Sequence, residues 1–469
     1  MVFAGSLAYI VLFAALVCLR VRYPFELEWL EGATIDHVRT ILAGRPLYAA
    51  PSLTFIPLTY SPGYFYLGAV LMKIMGVGFL PLRLISITSS AVMFTLLGRL
   101  AARETGDWHA GVLAMGLFAG MYGWTDGWLD VARTDPLFLV LALASVYILR
   151  SRASIEAAML AGVLISLSFL VKQTGLIVAI PLAVWCAWRG WRPFVTFAGT
   201  VLVIVGGSTV WLNRAFHGWY DYYVFAVPSH HQIATESLVG FWRYDFVRPM
   251  PIAVTAASAY LGWEIVRRKS ERGVFYLLAA AGLVGGAYAS RLHSLSYINV
   301  VLPAYLVAAL VFAIAVYDPS LWGNRRFRTA LHALCVLQLL LVVYRPAALV
   351  PTSGDVLTGR EFIERIAAMP GDVFVVDHGY LPSLAGKPMH AHAAVIADVI
   401  RGGNSSVELG LGRTLEKALA RHQFDSIVIR DEPSPIRACL PLDEYYRRAE
   451  HVIGTTSRFW HSETRYVPR

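Results

Sequence analysis

Apolar residues along this chain gather into blocks about as long as a bilayer is thick, separated by short polar connections. A spanning helix needs about 20 mostly apolar residues. By that measure spans are predicted over 2–22, 82–100, 108–125, 135–150, 155–171, 174–190, 193–212, 249–266, 273–290, 296–316 and 327–345, about eleven in all. The first block lacks a basic leader and a clean small-residue cleavage site, so 2–22 reads as a retained helix. After about residue 352 the pattern changes. Helix-like EFIERIAAM and TLEKALARHQ alternate with the β-branched runs VFVVD and SIVIRD, and Gly and Pro punctuate between them. That alternation predicts a small α/β domain over 352–469 behind a membrane body over 1–345.

Composition supports the reading. Of 469 residues, 57% are hydrophobic and 15% charged, and mean hydropathy is +0.56. Soluble domains carry about 25% charged residues, so a disordered, fibrous or ordinary cytosolic protein is excluded. The net charge of +9 points to a membrane rather than to nucleic acid, because basic residues collect in cytoplasmic loops. Five clusters do so in alternate connections: Arg99/Arg103, Arg150/Arg152, Arg189/Arg192, Arg267/Arg268/Lys269/Arg272 and Arg325/Arg326/Arg328. They assign their side to the cytoplasm, with the N-terminus inside and residues after about 345 outside. Arg20 and Arg22 count the other way. Cys18, Cys186 and Cys335 lie in apolar blocks and Cys439 in the tail, spaced neither as a disulfide framework nor as metal ligands.

The opposite, outer side holds the long polar and aromatic loops: 23–81, 126–134, 172–173, 213–248 and 291–295. In the first, Ile35, Val38, Ile41 and Leu42 recur at helical spacing until Gly44 and Pro46, which predicts a surface helix over 33–43. Glu26, Glu28 and Glu31 precede it, and Glu28 and Glu31 share a face if that stretch is helical too. A carboxylate desolvated at a bilayer margin gains basicity and suits a general base. After Tyr60-Ser61-Pro62 an apolar piece, 64–79, is expected to lie along the surface. Arg133 and Asp135 open a span, Asp135 being suited to a helix start. Lys172 sits between two spans with almost no loop around it, and Arg291 and His293 lie at comparable depth. Ionisable groups there are functional candidates, and four cations on one face suit a phosphate clamp. His230 and His231 are too few for a metal site by themselves. Lys387, His390 and His392 read as a solvated loop.

These motifs, in this order and on one side, resemble the GT-C membrane glycosyltransferases, in particular the branch of protein O-mannosyltransferases and the lipid A aminoarabinose transferase. The resemblance rests on the acidic motif Glu28–Gly32, on Gly44, Pro46 and Tyr48, on Tyr60 and Pro62, on Arg133 and Asp135, on Lys172–Gly175, and on the aromatic loop YYVFAVPSHH. It covers roughly residues 1–310 and the layout of an outer C-terminal domain. Many relatives carry Asp-Glu or Asp where this chain has E-L-E-W-L-E-G, and Y-P-P where it has Y-S-P. The resemblance implies a polytopic α-helical membrane protein of about eleven spans, GT-C-like, with its small α/β domain on the outer side. It implies an inverting transfer of a sugar from a polyprenyl-phosphate donor to an envelope glycan, lipid or protein, in a bacterial inner membrane. Glu31, with Glu28 second, would be the base and Asp135 or Asp36 the fallback. Lys172, Arg133, Arg291, His293 and Tyr60 would hold donor and phosphate. No cofactor is implied with certainty, and a divalent metal is left open. A lipid-linked-sugar flippase and a noncatalytic envelope assembly protein are the alternatives.

Overall fold

The computed structural model describes residues 1–294, 296–321, 325–401, 405–431, 436–437, 440–454 and 457–469. Leu295 and Cys439 therefore lie outside the described residues. Each of the eleven apolar blocks falls on a helix: α1 Val2–Arg20, α4 Phe79–Thr105, α5 Trp108–Gly120, α6 Asp135–Ser151, α7 Ile155–Val171 and α8 Gly175–Arg189, then Trp191–Val201 running through a π-helical turn into Gly207–Ala215, and finally Pro251–Val266, Glu271–Arg291, Leu302–Tyr317 and Arg325–Leu341. Two shorter helices of the first loop, α2 Glu31–Leu42 and α3 Gly63–Met75, lie between α1 and α4.

Among the described residues five helices are long and apolar enough to cross a membrane unaided, and several others have only 10–17 residues. At 1.5 Å per residue, α5 with 13 residues reaches well short of a core about 30 Å thick. The segment after it, 121–134, is non-helical yet largely buried. Irregular backbone is tolerated there because protein surrounds it and satisfies it. The start of α5 is set locally: Asp107 accepts from the His109 amide, an N-cap after Gly106, whose φ of 71° ends α4. α5 packs close on α1 because Gly116 leaves room; a Cβ there would fall 2.4 Å from Ser6.

Four of the five basic clusters meet at one end of the bundle, and the chain leads from there to the fifth. Arg103 donates to the Ser151 carbonyl at 2.9 Å, Arg150 to Glu104 at 2.8 Å and Arg272 to the Glu104 carbonyl. Arg189 pairs with Glu271, and Arg268 reaches Ser320 just before the last cluster. Arg20, which counts against the common orientation, is not a loop cation. It is 1% exposed and paired with Asp130 at 3.1 Å.

Among the described residues the C-terminal segment carries four strands, β1 Val373–Val375, β2 Ser426–Arg430, β3 Tyr446–Ile453 and β4 Glu463–Pro468. Their order is β1-β2-β4-β3, parallel between β1 and β2 and antiparallel elsewhere. Helices Ser353–Ala368, Ala393–Ile400 and Ser406–Ala420 accompany them. Lys387, His390 and His392 are not a solvated loop. Lys387 donates to the Met369 carbonyl, His390 pairs with Asp372, and His392 caps helix Ala393–Ile400 while its other ring nitrogen meets the Trp29 carbonyl.

Candidate functional site

The helix of the first loop begins at Glu31, so Glu28 and Glu31 do not share a helical face. The turn before it is tied by its own carboxylates. Glu31 accepts from the Leu27 amide at 2.6 Å and Glu26 from the Gly32 amide at 2.9 Å. That reversal sends the two candidate carboxylates to different surroundings.

Glu31 is fully enclosed. Besides Leu27 it accepts from Arg83 Nε at 3.0 Å, Arg83 Nη2 at 2.7 Å and the Ala132 amide at 2.5 Å. Arg83 spends its remaining donors on the Tyr23 and Phe25 carbonyls, and both side chains are 0% exposed. A carboxylate with every lone pair engaged by a guanidinium and amides is a structural staple, here joining the first loop, α4 and segment 121–134. Sequence reasoning missed Arg83, although a basic residue inside a predicted span was a signal for it.

Glu28 is nearly as buried, at 8% exposed, but almost unpartnered. Its nearest cation is Arg133, Nε to Oε2 at 3.6 Å; the Leu30 amide is near enough to favour the charged form, but among the described residues no donor meets either carboxylate oxygen in hydrogen-bond geometry. Arg133 likewise has two buried donors, Nε and Nη1, without a hydrogen-bond partner. Its Nη2 donates to Tyr60 Oη at 3.3 Å, and its guanidinium lies over the Tyr60 and Trp128 rings. Burial pushes the Glu28 carboxyl up to about 8; Arg133 opposes the shift and Glu31 adds to it.

Two cavities flank this pair. The first, about 350 Å³, extends between the helix ends and is lined by Tyr60, Arg133, Lys172, Gln173, His231, His293, Asn299, Asp398 and Arg401 among others. The second, about 450 Å³, lies between the first loop and the C-terminal segment, with Glu26, Asp126, His378, Arg430, Arg458 and Phe459 on its walls. Glu28, Trp29, Trp128 and Tyr297 line both, so Glu28 sits in the partition between them.

The cations of the first cavity come with counter-charges. Lys172 pairs with Asp135 at 2.7 Å, and Asp135 also accepts from Trp128 Nε1 at 2.9 Å. Asp135 is thereby committed, as is Asp36, which pairs with Arg39 on α2. Arg291 turns away from the cavity to Asp245 at 2.7 Å and to Ser296, so the expected four-cation face holds three of its members. His293 stays at the mouth, where burial and the neighbouring His231 lower its pKa. The C-terminal segment adds two residues that the sequence reading did not single out: Asp398 and Arg401, paired with each other, with Arg401 donating to Ser294. His231 meets the Asp398 carbonyl at 3.0 Å and His230 the Glu408 carboxylate at 2.8 Å. The two histidines thus face the C-terminal segment. Among the described residues no group of three or more His, Cys, Asp and Glu is placed to hold a metal.

A second buried cluster closes the floor of the larger cavity. His378 Nδ1 meets Glu26, and its Nε2 lies 3.2 Å from Glu463. Burial alone would lower the His378 pKa, but the two carboxylates outweigh it and hold the imidazole up to about 10. Burial likewise raises Glu26 to about 7, with His378 pulling back.

Residues 59–212 match the family model described as dolichyl-phosphate-mannose-protein mannosyltransferase. No curated protein matches the chain. Among solved structures, apo ArnT from Cupriavidus metallidurans aligns with a TM-score of 0.60 at 13% identity, over 98% of this chain and 97% of that one. The same protein bound to undecaprenyl phosphate gives 0.59 at 12% identity, over 98% of each. The oligosaccharyltransferase of Archaeoglobus fulgidus gives 0.55 at 13%, over 97% of this chain and 74% of its own. The helical body, the loop-bearing end and the small terminal sheet give this chain the fold of these structures, the GT-C fold, on a body whose helices include five long and apolar enough to cross a membrane among the described residues.

Proposed function

We propose that the chain is an inverting glycosyltransferase that takes a sugar from a polyprenyl-phosphate donor and places it on a hydroxyl acceptor at the outer face of the membrane. The observation that carries the reading is the buried Glu28–Arg133 pair, Glu28 in the partition between the two cavities and Arg133 on the wall of the first, with acceptor and donor atoms unengaged among the described residues. A buried charged group left without partners is costly, and a substrate with a phosphate for Arg133 and a hydroxyl for Glu28 would satisfy both.

In this reading the donor occupies the first cavity, its phosphate near Arg133 and Lys172 and its tail in the bilayer. The acceptor reaches the partition from the second. The acceptor oxygen attacks the anomeric carbon, Glu28 takes its proton, and the bond from that carbon to the phosphate oxygen breaks. The charge that grows on the departing phosphate is met by Arg133 and Lys172. In this reading Glu28 is the base and Glu31 the scaffold, the reverse of the order expected from sequence, and the enclosure of Glu31 by Arg83 and amides supports it. Arg291 is given no role with donor. The undecaprenyl phosphate bound in the ArnT structure, and the dolichol phosphate in another structure of the Archaeoglobus fulgidus oligosaccharyltransferase, are consistent with such a donor. The orientation rests on the basic clusters, which support an outer position for the loop-bearing end.

The test is transfer by purified protein given polyprenyl-phosphate sugars and envelope acceptors, with released polyprenyl phosphate and new glycoside measured together. Stoichiometric appearance of both supports the reading. Sugar-lipid crossing the bilayer with no glycoside formed would make the chain a flippase.

A further inference from the structure

The second cavity has a chemistry of its own. Resting on the assignment of Glu28 as base, we infer that this cavity is the acceptor site and that its ligand is a neutral sugar, the hydroxyl-bearing end of a glycan.

Three observations support it. Its walls pair aromatic faces with planar polar groups. Trp29, Trp128, Tyr297 and Phe459 stand beside Arg430 and Glu28, and Tyr297 is about half exposed while its ring lies tilted against Trp128, 5.3 Å between centroids. Sugar rings present apolar C–H faces to aromatic surfaces and hydroxyls to carboxylates and guanidinium groups, so such a mixed lining suits them. Arg430 also keeps a buried Nε without a hydrogen-bond partner, a donor available to a hydroxyl.

The charges disfavour an anionic acceptor. Arg458 is held by Asp126 and His378 by Glu26 and Glu463; that leaves Arg430 without an ion pair among the described residues, a single guanidinium rather than the cluster of cations that clamps a phosphate. A peptide acceptor would be captured most simply on an open strand edge. The sheet edges are β1 and β3, whereas the cavity is lined by the end of the interior strand β2 and by residues 458–461. At about 450 Å³ the space lies within the small-molecule range of about 300–1,000 Å³, fitting the terminus of a glycan.

The test is ligand-detected NMR on the full chain in detergent, without donor. The probes are a panel of neutral disaccharide octyl glycosides, a Ser/Thr-containing peptide and glycerol phosphate. At least one glycoside should bind saturably, and undecaprenyl phosphate should not displace it. Tyr297→Ala and Arg430→Gln should each weaken that binding by about tenfold, and Tyr297→Phe should largely retain it. If Tyr297→Ala does not fold, Arg430→Gln decides. Binding of only the peptide or the phosphate ester, of no probe, or of a glycoside that undecaprenyl phosphate displaces would overturn the inference. Because binding is read without donor, a protein that binds the glycoside here yet never transfers sugar would sink the transferase reading, and the acceptor role with it, while leaving the cavity's preference for a neutral sugar. Sugar transfer to the peptide would do the reverse.

Discussion

Replacing Glu28 and Glu31 separately by glutamine separates scaffold from base, and the structure fixes how differently the two should behave. Glu28→Gln keeps the size of the side chain. No hydrogen bond is lost, since neither Glu28 oxygen accepts one. Arg133 would give up a 3.6 Å charge contact but keep Tyr60 Oη and two aromatic faces. Stability should change by no more than about 1 kcal/mol. Turnover should fall by about 10²–10⁴-fold, the usual contribution of a general base, equivalent to about 2.7–5.5 kcal/mol on the barrier. Glu31→Gln is the opposite case. The new amide nitrogen would face N–H donors from Arg83, Leu27 or Ala132 and leave a fully buried guanidinium without its counter-charge. Breaking one side of a buried pair costs about 3–5 kcal/mol. The expected outcome is a lowered thermal midpoint and less folded protein, with much smaller loss per folded molecule. The assay is sugar transfer normalised to folded protein by size-exclusion chromatography, alongside thermal unfolding in detergent. Wild-type turnover in Glu28→Gln, or a well-folded Glu31→Gln that is about a thousandfold slower, more than a scaffold should lose, would refute the assignment.

The ionised form of Glu28 is the one that accepts a proton, so kcat/KM should climb as pH rises through about 8 and level off above it, a limb absent from Glu28→Gln. His378→Ala should leave the Glu26 and Glu463 carboxylates facing each other and cost about 3–5 kcal/mol, read as faster proteolysis of the segment after residue 352. In the wild type the folded cluster holds its protons up to about 7 at Glu26 and about 10 at His378, above the ordinary 4.5 and 6.5. Its contribution to stability is therefore full below pH 4.5 and is lost as pH rises toward 10; protection from hydrogen exchange that grows over pH 7–10 would contradict this. A topology reporter fused after residue 350 should be active only in the outer compartment and one near Arg268 only in the cytoplasm, and swapped results would invert the proposed sides.

The helices were readable because a bilayer demands contiguous apolar sequence, and every predicted block became one. Arg99, Arg150, Arg189 and Arg268 were readable as one end for a similar reason: alternate loops must share a side. Roles at the other end were less legible. Glu28 and Glu31 look alike in sequence, and only the partner Arg83, on another helix, separates the enclosed carboxylate from the available one. Arg291 was expected beside Lys172 from depth alone, but its position around the helix turns it to Asp245. Asp398 and Arg401 gave no local signal, because their placement depends on how the C-terminal segment meets the loop of His231.

The long-range staples also fix an order of assembly during synthesis. Arg20 leaves the ribosome 107 residues before Gly127, whose carbonyl it binds; Glu31 precedes Arg83 by 52, and Glu26 precedes His378 by 352. At about 5–20 residues per second, the loop that carries Glu28 waits on the order of tens of seconds for its last support. Until Asp130 emerges, α1 carries an uncompensated guanidinium, and the nascent chain must shelter it in the insertion machinery or at the lipid headgroups. A chain that stops before residue 378 would hold nearly every membrane helix and yet leave Glu26, two residues from the proposed base, without its closing contact.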